Sequence, residues 1–287
     1  MTARALTIAR KDLTDLARSK LMWVATLVVL AATVPQTYDR ATDSWNVFVD
    51  STQDQLLIPF VLFAGPVAIV AAYASVAGER ESGSLRVLLS FPTDRGAVLL
   101  GKALSRTVLL LALSLGTYLV LGGVLIQAYG TLDGVEYLLD AGLLAAFTVA
   151  WAGLSVGVSA AVATKVRAVA VLFGLYLALG PLNLWRATVV RLVGTVLEGP
   201  GFDPSTLRSL TNAGGETPEW YLYVGRLNPI QATLAANEWT SHALTPSVWS
   251  TGPATLAHNA FGVAAVLAWG VVPLAIGHWR FGRADLG

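Results

Sequence analysis

Long apolar runs separated by short polar stretches make up most of this chain. Residues 21–38 form the first run, uncharged from Leu21 to Val34 and extended through Pro35 to Tyr38. Others follow at 56–77, 97–128, 141–163, 166–183 and 260–279. A helix needs ~20 apolar residues to cross a bilayer, so the pattern predicts an all-α protein with six membrane-spanning helices. Pro59 and Pro66 are expected to kink the second span, which neighbouring helices make tolerable. Lys102 and Arg106, in the first turns of the third, are expected to snorkel to the headgroups. Only a tight turn at Thr164 and Lys165 separates spans four and five.

The segments between the runs carry their own patterns. Across residues 1–20, Leu6, Ala9, Leu13, Leu16 and Ala17 recur at helical spacing, with Arg10, Lys11 and Arg18 among them. This predicts an amphipathic interfacial helix lying on the inner membrane face, with a helix packed on protein as the alternative. Residues 39–55 and 129–140 read as short acidic loops, the latter carrying Asp133, Glu136 and Asp140. The 184–259 segment is too long for a mere connector. It predicts a helix from Arg186 to Leu197 stopped at Gly199-Pro200-Gly201, and further helix starts at Asp203-Pro204 and Asn228-Pro229, where a capping side chain precedes proline. Trp220, Tyr221, Tyr223, Trp239 and Trp249 suit a membrane-interface belt. The segment reads as a cap over an exit path, a docking site for an extracellular partner, or an interfacial plug.

Composition narrows the function classes. Of 287 residues, 55% are hydrophobic and 13% charged, with mean hydropathy +0.62. Soluble domains carry about 25% charged residues, so a soluble enzyme and a disordered chain are both excluded. With no cysteine and three scattered histidines (His242, His258, His278), neither disulfides nor a metal centre is expected. Fourteen of the 19 basic residues fall in the N-terminus, the 78–106 region, the 164–167 turn and the C-terminus. The positive-inside rule then puts both termini in the cytoplasm, and no cleaved signal peptide is expected. Twelve of the 18 acidic residues fall on the other side, giving an acidic outer surface.

The spans hold no charge near their centres, which argues against ion-coupled transport. Gly153-Leu154-Ser155-Val156-Gly157 matches G-x-S-x-G, but no base lies at that depth. Gly153 and Gly157 are better read as a helix-packing face. Gly96–Lys102 approaches a phosphate-binding loop, yet Ala103 stands where the magnesium-binding hydroxyl belongs and no strand precedes it. No intrinsic ATPase, cofactor or nucleic-acid partner is expected.

The most specific stretch is residues 78–102. Gly83 allows a sharp turn, and Ser84 can cap a short helix whose Leu85, Leu88 and Leu89 share one face. Pro92 ends it, and Thr93 is expected to cap the next span, with Asp94 close by. The run Glu79-x-Glu81-x-Gly83-Ser84-Leu85-x-x-Leu88-Leu89-Ser90-x-Pro92-x-x-Arg95, followed by Gly101-Lys102, resembles the inner-loop signature of ABC-2 type transporter permeases, membrane subunits of ATP-binding cassette exporters. Leu227-Asn228-Pro229 resembles the subgroup found with nitrous-oxide-reductase maturation systems. The resemblance implies an exporter permease in the cytoplasmic membrane, paired with a second permease copy or homologue. ATP and Mg would be bound by a separate ABC ATPase subunit. Glu79, Glu81, Gly83, Ser84, Leu85, Leu88, Leu89, Pro92 and Arg95 would form the coupling element, the two glutamates meeting basic residues of the ATPase. An assembly subunit that anchors an extracellular partner without transport is the alternative reading.

Overall fold

The computed structural model describes residues 2–42, 56–85, 94–207, 210, 217–244 and 254–283. Every regular element among them is helical: α1 (Thr2–Ala17), α2 (Lys20–Thr42), α3 (Leu57–Ala72), α4 (Ala77–Ser82), α5 (Arg95–Tyr129), α6 (Gly134–Ala161) and α7 (Lys165–Leu179). A π-helical turn (Arg186–Val190) leads into α8 (Arg191–Glu198); a 3-10 turn (Pro204–Thr206), α9 (Glu219–Arg226), α10 (Pro229–Leu244) and α11 (Leu256–Arg283) follow.

Among the described residues, five helical stretches are long and apolar enough to cross a membrane: Lys20–Thr42, Leu57–Ser82, Arg95–Tyr129, Gly134–Ala161 and Leu256–Arg283. They correspond to five of the six expected spans. The run at 166–183 differs. Its helix α7 stops after 15 residues, about 22 Å at 1.5 Å per residue, against a hydrocarbon core of ~30 Å. Gly180-Pro181 interrupts it, because proline offers no N–H to continue the helix and restricts the residue before it. The 129–140 loop is also shorter than expected. Helix α6 starts at Gly134, with the Asp133 carboxylate accepting from the N–H groups of Val135 and Glu136, both at 2.9 Å.

Helix α6 lies at the centre, against α3, α5, α7, α10 and α11. Its Phe147 and Trp151 anchor a core with Val61, Leu109, Leu172 and Val266. Within a bilayer, lipid is as apolar as leucine, so burial itself adds little; close packing holds helices together. The α6–α11 seam meets that demand. A methyl on Gly153 would sit 2.8 Å from the Gly270 carbonyl oxygen, and one on Gly270 would sit 2.9 Å from Ala150 Cα. Gly157 lies equally hard against the Pro273 and Leu274 backbone. The expected Gly153/Gly157 packing face is thus present, with α11 as its partner.

The prolines of α3 behave differently from one another. Pro59 is in the first turn, where an N–H has no intrahelical partner anyway, so it has no cause to kink the helix. Pro66 is interior.

Candidate functional site

The signature region gathers at one end of the bundle, around the start of α5. Helix α3 breaks at Tyr73–Val76 before α4 begins, leaving backbone groups that need partners. Ser159 of α6 supplies them. Its hydroxyl donates to the Tyr73 carbonyl at 2.8 Å and accepts from the N–H groups of Val76 and Ala77, both at 3.1 Å. Helix α4 ends at Gly83, whose φ of 76° is the left-handed conformation that ends helices. The chain turns there as expected, and the next described residues put Ser84 at the surface and bury Leu85 beside Val76, Val98, Leu99 and Phe281. Leu88, Leu89, Pro92 and Thr93 lie outside the described residues. The cap of α5 is Asp94 itself, not its neighbour Thr93: Asp94 Oδ1 accepts from the Ala97 N–H at 2.6 Å.

At the centre of this region is a charge network that the sequence pattern does not reveal. Lys102 Nζ lies 2.7 Å from Glu79 Oε1 on α4 and 3.9 Å from Asp12 Oδ1 on α1. Arg106 Nη1 donates to Asp12 Oδ2 at 2.5 Å, and Ser105 Oγ donates to the same oxygen at 2.5 Å. The Lys102 side chain is only 3% exposed and that of Arg106 8%. Neither snorkels to headgroups, because α1 covers them. Helix α1 packs along α5, burying Ala5 and Ala9, and Gly101 makes this possible: a methyl there would meet the Ala5 carbonyl at 2.8 Å and Ile8 at 2.9 Å. The N-terminal helix, expected to lie on the membrane face, instead packs on protein along one face, while Leu6 stays exposed.

Two arginines fasten the same end. Arg80 donates to the carbonyls of Val162 (3.0 Å) and Ala160 (3.4 Å), at the last turn of α6. Arg95 donates to those of Phe281 (2.7 Å) and Gly282 (3.0 Å) on α11. Cations suit helix C-termini, where carbonyls lack partners. Both guanidiniums also stand over the buried Phe281 ring, at 5.8 and 5.7 Å. Of the two signature glutamates, Glu79 is thus engaged inside the chain. Glu81 is at the surface, 3.8 Å from the exposed Lys165.

At the opposite end, α9 and α10 close over α11. Asn228, fully buried, donates to the Leu179 carbonyl that ends α7 (2.8 Å) and accepts from the N–H groups of Ile230 (3.0 Å) and Gln231 (3.4 Å) that begin α10. Trp269 of α11 donates to the Leu227 carbonyl at 2.8 Å. The Leu227-Asn228-Pro229 run is therefore a junction of three helices. Asp203 caps as expected, its carboxylate held below the usual range by the backbone and side chain of Ser205. Two of the aromatics expected at a membrane interface are engaged within the chain. Trp220 packs on Phe202 and donates to Glu198, and Tyr221 is buried; Trp249 lies outside the described residues. Nor are all the charges at this end on the surface. Glu136 and Asp140 are fully buried on α6, with Asn237 donating to Asp140 at 2.9 Å. Arg226 is fully buried against the Asn259 side-chain oxygen (3.0 and 3.3 Å) and the Leu222 carbonyl (3.0 Å). Burial pushes its pKa down to about 10, with the nearby Tyr221 opposing the shift.

The signature, its Gly101-Lys102 seat for α1 and the apolar helices now stand together, and the family model described as ABC-2 family transporter protein matches residues 6–286. The chain belongs to this family. Among curated proteins it is similar to a probable ABC transporter permease protein NosY of Pseudomonas aeruginosa, 31% identical over 133 residues, covering 45% of this chain and 47% of that protein. It is also similar to a probable ABC transporter permease protein NosY of Stutzerimonas stutzeri, 33% identical over 98 residues, covering 33% and 36%. The aligned part thus spans about half the length or less of the curated relatives. The chain is a multi-pass membrane protein of a transporter family, similar over part of its length to proteins named as NosY permeases.

Proposed function

We propose that this ABC-2 permease is the membrane subunit of an exporter in the cytoplasmic membrane, driven by a separate ABC ATPase that binds ATP and Mg, and working beside a second permease copy. The observation that carries the reading is the Glu79–Lys102–Asp12–Arg106 network. It ties the start of the signature (Glu79), its end (Lys102) and the N-terminal helix to one point on α5. A push on the 81–90 segment would reach α5 through Lys102, α6 through Arg80 and Ser159, and α11 through Arg95. Rigid helices fastened at one end move as bodies, the kind of motion by which an ATPase cycle opens and closes a path. Glu79 is occupied within the chain, so docking falls to Glu81, Ser84 and the apolar residues Leu88 and Leu89.

The test is co-purification of the chain with ABC ATPase subunits co-expressed from the same genome, in wild-type, Glu81→Lys and Leu88→Asp forms, with ATP turnover measured on each. Loss of a leucine contact is worth about 1.5–3 kcal/mol, so Leu88→Asp should weaken the assembly at least tenfold. Glu81→Lys should weaken it more at low salt, where exposed charges are poorly screened. Equal recovery and turnover in all three forms would sink the coupling assignment and favour an assembly subunit that transports nothing.

A further inference from the structure

A groove of about 360 Å³ runs between α2 and α5, lined by Met22, Thr26 and Leu30 on one side and Leu109, Gly116 and Val120 on the other. It is open laterally, and beside it on α2 Trp23 is 57% exposed and Leu27 62%. The lining is apolar apart from two threonines, Thr26 and Thr117. The Thr26 hydroxyl donates to its own helix at the Met22 carbonyl (2.9 Å), which takes its hydrogen-bonding capacity out of the groove. A methyl added to Gly116 would meet nothing within 4 Å, so the space there is real.

Two further observations specify what fits. From Leu109 to Val120 the groove follows α5 for about 16 Å, close to half of a ~30 Å hydrocarbon core, the depth of one leaflet. It begins one turn after Arg106, where the charge network ends and the apolar part of α5 starts. At that same end Ala17 lines the mouth, and the exposed Arg18 and Lys20 follow in the α1–α2 hinge. The Trp23 indole donates to the Ala17 carbonyl (2.8 Å), which suits a tryptophan at the membrane interface. A slot one leaflet deep with two cations at its mouth complements one class of molecule. We propose that the groove holds an acyl chain of an anionic phospholipid whose phosphate is held by Arg18 and Lys20. Asp12 does not compete for them, being committed to Arg106 and Lys102; Asp15, exposed on α1, is the one nearby carboxylate on the same element. The site lies away from the 81–90 segment and does not depend on the ATPase reading.

The test is native mass spectrometry of the purified full chain in detergent, titrated with dioleoyl phosphatidylglycerol or dioleoyl phosphatidylcholine. The wild type should retain phosphatidylglycerol more tightly. A juxtamembrane cation contributes about 1 kcal/mol, so R18Q/K20Q should lower its affinity about 30-fold and leave phosphatidylcholine nearly unchanged. G116F, which fills the groove, should reduce retention of both lipids. R18Q/K20Q alters exposed side chains only and leaves the helix packing intact, so its result does not hinge on folding. Equal retention of the two lipids by the wild type would overturn the proposal. So would unchanged phosphatidylglycerol affinity in R18Q/K20Q, or unchanged retention in G116F.

Discussion

At the scale of single residues, this chain depends on a few buried polar groups that each serve two masters. Lys102 is the clearest. Removing it leaves Glu79 and Asp12 sharing a pocket with one cation, Arg106. Breaking a fully buried pair costs ~3–5 kcal/mol; because about a third of the Glu79 side chain is exposed, Lys102→Met should cost about 2 kcal/mol. Thermal unfolding in detergent should show the loss, and Glu79→Gln in the same chain should recover part of it. A Tm unchanged by Lys102→Met would mean the pair contributes nothing. Ser159→Ala is the neutral counterpart, leaving buried N–H groups of Val76 and Ala77 without their acceptor. Each unmet group costs about 1–3 kcal/mol, and faster amide exchange at Ala77 is the expected signature. Neither role could be read from sequence. Lysine at the start of a span ordinarily faces headgroups; it is buried here because α1, 90 residues earlier, lies across it. Ser159 reads as one more small residue in a packed helix until the break in α3 is seen to lie beside it.

At the scale of elements, the local signals were the legible ones. Asp203 and Asn228, read as helix starts, each accept from backbone N–H groups there, and Gly83 and Gly199, read as a turn and a stop, end helices at positive φ; Asp133 and Thr164 cap helices in the same way within stretches read only as a loop and a turn. Such signals need no tertiary context, because the partner lies two or three residues away. Ends that depend on composition were less legible: α6 extends seven residues beyond the apolar run because Glu136 and Asp140 fold into the helix and are buried. The glycine seam between α6 and α11 makes the sharpest prediction at this scale. Gly157→Ala should destabilise by at least about 1–3 kcal/mol, the range for overpacking a tight contact, since its methyl would meet the α11 backbone. Gly142→Ala, where nothing lies within 4 Å, should be neutral or gain up to about 1 kcal/mol from helix propensity. Comparable Tm losses for the two would mean that the seam is not what holds α11 on α6.

At the scale of the whole molecule, an expected topology follows from charge placement and from the way the helix ends are dressed. The end bearing Asp12, Glu79, Lys102 and Arg106 also carries Arg80 and Arg95 on the carbonyl ends of α6 and α11, and Arg18, Lys20, Lys165 and Arg167 lie at the surface. Much of this positive charge is consumed in internal pairs, so the bias that directs insertion is carried by the chain before it folds, when every lysine and arginine still counts. The opposite end buries one of its own basic residues, Arg226, and leaves Asp203 and Ser205 exposed. Short as it is, α7 runs from Lys165 beside Glu81 to Leu179 beside Asn228, from one end of the bundle to the other, so the orientation expected has Ser82 facing the cytoplasm and Ser205 facing outward. The protein has no cysteine, so Ser82→Cys and Ser205→Cys each create a single label site on an otherwise silent background. A membrane-impermeant maleimide applied to intact cells should modify residue 205 and reach residue 82 only after the cells are opened. Modification of residue 82 on intact cells, with 205 protected, would invert the topology. It would also place the 81–90 segment on the side where no cytoplasmic ATPase could reach it, so this labelling pattern bears on the coupling proposal as directly as the co-purification does.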